Sequence, residues 1–286
     1  MMTKKISPND KFSEPQKSEI SAVVKVPGVN GLGKTRGCRN AGNAVILGLD
    51  EIDSNESGKP IDKRLLDLEE IHVDNENLEE QEKLIYENAK EIIEKKEKVI
   101  FLGGDHSISF PIGKAFLDFC KEKEACLIVF DAHADCDYSC KEPTHEEWLR
   151  ALVESGFPAR NILLVGVRKL WKVENKFLAE KKIRRIGINE LMLDLEEVTD
   201  TIMEFSNGKE LYVSFDIDVV DPAFAPGTGY KEPGGLTARQ AIYIVSRIAK
   251  IKNLKAFDIV EVDIEKDKDY ENITIKLAAK LLAELL

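Results

Sequence analysis

Continuous apolar runs alternate along most of the chain with longer stretches of mixed polarity. Lys98-Val-Ile-Phe-Leu102, Ala125 to Phe130, Asn161 to Gly166, Leu211-Tyr-Val-Ser-Phe215 and Ala256 to Val262 are apolar at successive positions, as strands covered on both faces of a parallel sheet must be. Ser21 to Pro27, Glu70-Ile-His-Val-Asp74 and Ile183 to Ile188 read as three shorter strands. The stretches between predict helices at about 40–49, 78–94, 107–120, 146–152, 169–180, 194–205, 237–250 and 273–286. Eight strands separated mostly by helices imply an α/β fold, with one parallel sheet covered by helices on each side. No repeat or linker divides residues 20–286, which are expected to form a single domain. Residues 1–19 are polar and expected to be loosely ordered. Gly28 to Gly42 reads as a loop, and Asp53 to Lys63 as a surface insertion.

Three of the predicted strands end in side chains that bind metals. His106 follows the Leu102 strand, Asp131, His133 and Asp135 follow the Phe130 strand, and Asp216 with Asp218 follows the Phe215 strand. Positions i, i+2 and i+4 of a strand share a face, so Asp131, His133 and Asp135 are expected to point together. Such groups on a buried face are costly unless a cation compensates them. Two imidazoles and four carboxylates suffice for two divalent ions sharing bridging carboxylates, and the oxygen-rich set favours Mn²⁺ over Zn²⁺. Ligands of open parallel sheets bind at the carboxyl ends of strands, where all these residues fall.

Charge narrows the partners. The net charge of −11 argues against nucleic acid or an anionic membrane surface and is compatible with a cationic substrate. No apolar run approaches the ~18 residues of a membrane span, and no apolar segment follows the basic start, so a cytoplasmic location is expected. Five cysteines, an odd number, speak against a disulfide framework there.

The stretches Gly103-Gly-Asp-His-Ser107, Asp131-Ala-His-Ala-Asp135 and Ser214-Phe-Asp-Ile-Asp-Val-Val-Asp-Pro222 resemble, in order, the three metal motifs of the ureohydrolases: arginase, agmatinase, formimidoylglutamase and relatives. The resemblance runs from about Val99 onward and is weak before it. It implies a three-layer α/β/α domain with an eight-stranded parallel sheet, a dinuclear manganese centre, and a trimeric or hexameric homo-oligomer. His106, Asp131, His133, Asp135, Asp216 and Asp218 are then the expected ligands. Asp135 also resembles the group that hands a proton to the leaving amine, His145 the histidine proton shuttle, and Glu261 the glutamate that binds the guanidinium. Asp105 and Ser107 read instead as turn and N-cap residues, and His72 as structural or exposed.

The stretch Asp221-Pro-Ala-Phe-Ala-Pro-Gly-Thr-Gly229 is similar to agmatinases and many arginases, which favours a guanidino substrate. Arginases that grip the α-carboxylate usually carry Ser-Gly-Asn-x-His before the shuttle histidine. Asp137 to His145 lacks that pattern, which points to agmatine, with urea and putrescine as products in polyamine biosynthesis. Lys141 is the residue of this loop able to receive a carboxylate, so arginase or another guanidino acid hydrolase is the alternative. The chain also departs from the family's usual sequence at Asp263-Ile264 and at Tyr230-Lys-Glu-Pro233. From other classes, a zinc deacetylase of related fold would leave His106 and Asp135 without a ligand role, and a non-catalytic binding protein would not need the full set.

Overall fold

Valine, isoleucine, leucine and phenylalanine at successive positions build strands that stay dry on both faces. The computed structural model describes residues 21–286, and the expectation for residues 1–19 lies outside them. The strands are β1 (Ala22–Lys25), β2 (Asp67–Glu70), β3 (Val99–Leu102), β4 (Ala125–Phe130), β5 (Ile162–Val165), β6 (Arg184–Ile186), β7 (Glu210–Asp216) and β8 (Leu254–Val260). They form one sheet in the order β2-β1-β3-β8-β7-β4-β5-β6, with every neighbouring pair parallel.

Alternate residues of each strand feed different layers. Ile100, Leu102, Ile128, Phe130, Val213 and Phe215 face α1 (Ala41–Leu49), α6 (Ile188–Leu193), α7 (Leu195–Phe205), α8 (Ala238–Ile248) and α9 (Ile273–Leu285). Val99, Phe101, Leu127, Val129 and Tyr212 face α2 (Leu78–Lys95), α3 (Ser109–Phe119), α4 (Trp148–Glu154) and α5 (Lys172–Lys181). The period of two along each strand thus divides the core into the two dry seams of a three-layer molecule. Among the described residues, no helix is long and apolar enough to cross a membrane.

Two expectations need correction. The second strand is Asp67–Glu70 rather than Glu70–Asp74. It is an edge strand whose position is set by its ladder with β1, Ala22 opposite Asp67 through Lys25 opposite Glu70, and not by the β-branched residues just after it. The stretch expected as strand to Ile188 ends at Ile186, and the next residues form α6. Asp194, whose side chain accepts from Glu197 N, stops α6 and caps α7.

Candidate metal centre and substrate pocket

Four neighbouring strands, β3, β8, β7 and β4, release the chain at one edge of the sheet, and each delivers part of a cluster. His106 follows β3, Asp131, His133 and Asp135 follow β4, Asp216 ends β7 with Asp218 in the turn behind it, and Glu261 follows β8. Residues 131–135 are not a continuing strand face. Asp131 N still bonds Val165 O, but His133 N folds back onto Asp131 Oδ1 at 2.7 Å, and Asp135 takes the left-handed conformation at φ 48°. A turn gathers these side chains, and the pleat does not.

The gathered atoms fall into two adjoining sets. His106 Nδ1 lies 3.2 Å from Asp131 Oδ2, 3.0 Å from Asp135 Oδ2 and 3.2 Å from Asp216 Oδ2. His133 Nδ1 lies 2.9 Å from Asp218 Oδ2 and 3.4 Å from Asp131 Oδ1. Asp131 therefore gives one oxygen to each histidine. Donors outside the cluster fix its carboxylates: Asp218 N donates to Asp216 Oδ1 at 2.7 Å, Ala132 N to Asp218 Oδ1 at 3.0 Å, and Trp148 Nε1 to Asp135 Oδ2 at 3.0 Å.

The other edge of His106 determines what its Nδ1 is. Nε2 stands 2.9 Å from Ser214 Oγ, and the Ser214 hydroxyl donates to Asp258 Oδ1 at 2.8 Å. With its hydrogen given to Asp258, Ser214 accepts from Nε2–H, so in the neutral ring Nδ1 presents a lone pair to three carboxylate oxygens. His106 Nδ1 and Asp131 Oδ2 are buried with no aligned hydrogen-bond partner among the described residues. Lone pairs converging at this range repel one another unless positive charge stands between them. Carboxylate and imidazole ligands of this kind fit divalent cations, so these six residues could hold two of them.

Titration behaviour points the same way. Burial pushes Asp216 well up, and the charges of Asp218 and Asp131 push it further; burial and Asp131 raise Asp135 to about 7. Burial works against the charged forms of His106 and His133, yet contacts with the surrounding carboxylates raise both rings. Asp131, between the two rings, is instead held below the ordinary carboxylate range by His106 and His133 against the effect of its burial; three raised carboxylates beside two raised imidazoles mark a cluster short of positive charge.

Beyond the cluster, Glu261 and His145 are both buried. Glu261 Oε1 accepts from His106 N at 2.9 Å and lies 3.0 Å from His145 Nδ1. Burial opposes a charge on His145, but the Glu261 carboxylate outweighs it and raises the ring to about 9. Glu261 has φ 63°, and a Cβ added at Gly229 would come within 3.4 Å of its Oε2, so the missing side chain leaves that oxygen room. His145 Nε2 is buried and without an aligned partner among the described residues.

These groups line a cavity of about 590 Å³, counting its open mouth, together with Asp137, Glu146, Lys169, Trp171, Glu174 and Tyr230. Lys141, of the same loop, is 78% exposed and pairs with Glu79 at 3.2 Å and Glu142 at 2.7 Å. Asp105 Oδ1 accepts from Ser107 N as an N-cap, and the His72 side chain is 89% exposed. Ser214, Asp258, Trp148 and Tyr230 were not among the sequence candidates. Asp258 had left a signal, a carboxylate inside an otherwise apolar strand, and Ser214 sits two residues before Asp216 on one strand face.

A sequence model of the arginase family matches residues 21–286. The chain is 31% identical over 245 residues to the agmatinase of Bacillus subtilis, covering 85% of this chain and 81% of that one. It is 30% identical over 219 residues to an arginase of Schizosaccharomyces pombe, covering 68% and 66%. Among solved structures, the formimidoylglutamase of Bacillus subtilis superposes with a TM-score of 0.84 at 22% identity, covering 95% of this chain and 87% of that one, a likeness of fold.

Proposed function

The chain belongs to the arginase family, and from that premise we propose that it hydrolyses agmatine to putrescine and urea at a two-manganese centre. Members of the family are hydrolases that act on guanidino compounds and depend on two metal ions. The observation that carries the choice of agmatine is the placement of Lys141. The one residue of the 137–145 loop suited to an α-carboxylate is turned outward onto Glu79 and Glu142, while the cavity wall carries Asp137, Glu146 and Glu174. Lys169, also on that wall, is paired with Glu232. An acidic wall with its lysines engaged suits a substrate that is cationic at both ends.

In this reading His106, Asp131, His133, Asp135, Asp216 and Asp218 hold the metals. The pair of cations would lower the pKa of water and supply a nucleophile near neutral pH. Glu261 Oε1 is occupied by His106 N and His145, while Oε2 has the weak Cys38 thiol donor at 3.9 Å and keeps room to accept from the planar guanidinium and orient its central carbon. Asp135, whose Oδ2 also takes the Trp148 indole N–H, moves a proton to the departing nitrogen. His145, anchored through Nδ1, offers Nε2 to the cavity to exchange that proton with solvent. Measuring urea released from agmatine, arginine and guanidinobutyrate, and formamide from formimidoylglutamate, tests the assignment. Agmatine should be turned over fastest; equal or faster turnover of arginine would overturn it.

A further inference from the structure

We propose that Glu146, held by Tyr230, is the specificity-determining group of the pocket and receives the ammonium at the far end of a guanidino amine. This rests on the guanidino-substrate reading above. The carboxylates of Glu261 and Glu146 stand at opposite edges of one imidazole: Glu261 Oε1 is 3.0 Å from His145 Nδ1, and Glu146 Oε1 is 4.0 Å from His145 Nε2. A substrate gripped by Glu261 at its guanidinium and extended past His145 meets Glu146 next.

The acidic residues of the wall differ in how far they are committed. Glu174 is buried, and its two oxygens take Cys136 N at 3.3 Å and Trp171 N at 2.7 Å. Asp137 has one oxygen on Tyr138 N at 2.7 Å and, unlike Glu146, does not stand at the His145 ring; Glu232, behind the wall, is paired with Lys169. Glu146 takes the Tyr230 hydroxyl on Oε1 at 3.0 Å and is 44% exposed, so its other oxygen can meet a ligand in the cavity.

Tyr230 makes that carboxylate a fixed feature. Lys34 Nζ lies 4.9 Å from the ring centre, and a carboxylate can only accept, so the hydroxyl hydrogen is directed to Glu146. The ring itself stands 5.3 Å from the His145 ring and 6.0 Å from the His133 ring, which places an aromatic wall beside the path of the aliphatic chain. A carboxylate and an aromatic ring together are the elements that recognise an alkylammonium.

The test compares agmatine with pentylguanidine, in which a methyl replaces the ammonium, on the manganese-loaded wild type, Glu146→Gln and Tyr230→Phe. For Glu146→Gln, KM for agmatine should rise about tenfold more than KM for pentylguanidine, with kcat changed far less, as loss of a partly exposed charge contact predicts. Tyr230→Phe should move the same ratio in the same direction by about threefold. Equal rises for both substrates in both variants would overturn the proposal. If the wild type prefers arginine, the agmatine reading fails alone, and the same ratio taken between arginine and pentylguanidine still decides Glu146. Preference for guanidinobutyrate, anionic at its far end, would overturn both.

Discussion

Ser214 fixes the His106 ring from the side away from the cluster, its hydroxyl oxygen 2.9 Å from Nε2. Affinity for metal then depends on a residue that touches none. Ser214→Ala should weaken manganese binding about 10- to 100-fold, as loss of an outer partner to a ligating histidine does. Titration of the metal-free protein measures this, and unchanged affinity would mean that stacking on Trp148, with ring centres 4.6 Å apart, orients the imidazole alone.

Chelation should abolish urea release and lower the Tm. Ligands that bind only the folded state stabilise it by about 4 kcal/mol at a thousandfold excess over Kd, so the shift should be several degrees or more. Elemental analysis of the reloaded protein should give two manganese ions per chain. One tightly held zinc would favour the deacetylase class instead.

Asp135→Asn should cut turnover by about 10²- to 10⁴-fold with both metals still bound, the range expected for a lost proton carrier. His145→Ala should cost less, about tenfold, because solvent can partly replace a shuttle. Single-turnover urea release at saturating agmatine reads both. Full activity of a metal-loaded Asp135→Asn protein would refute its role.

Lys98 lies at the foot of β3 with its ammonium against the Leu285 carbonyl, and burial, with the nearby Lys59 charge, lowers its pKa to about 8. An unfolded lysine titrates near 10.4. Below pH 8 both states keep the proton and the folded state bears the buried charge; between the two values the folded state releases it first, so this group's contribution to stability rises with pH. Lys98→Met should therefore gain roughly 1–2 kcal/mol of unfolding free energy at pH 7, shrinking toward zero near pH 10.5. Urea denaturation at the two pH values checks it, and a gain independent of pH would assign the effect to packing.

The candidate metal ligands could be picked out because each follows an apolar strand within a few residues of its end, a contrast that short-range pattern alone reveals. The three layers were legible for the same reason, since strands dry on both faces require helices on each. What depends on register was hidden. β2 took its place from β1, and Ser214 reaches Asp258 across the β7–β8 ladder, a contact fixed by which residues stand opposite one another. Tyr230 and Glu146 are 84 positions apart and joined only where two loops meet over the crevice. The turn at 131–135 was misread as a strand face because a pleat and a bend can converge the same three side chains.

β8 occupies the fourth place in the sheet, between β3 and β7, yet it is the last of the eight strands to be synthesised. Until residues 254–260 emerge, β1, β2 and β3 form one block and β4 to β7 another, with no strand to join them. His106 belongs to the first block and the five other candidate ligands to the second. Pairing of β8 with both neighbours is thus what sets His106 against the other five. A ribosome stalled before β8 emerges would present two open strand edges, a target for chaperones and a seed for aggregation.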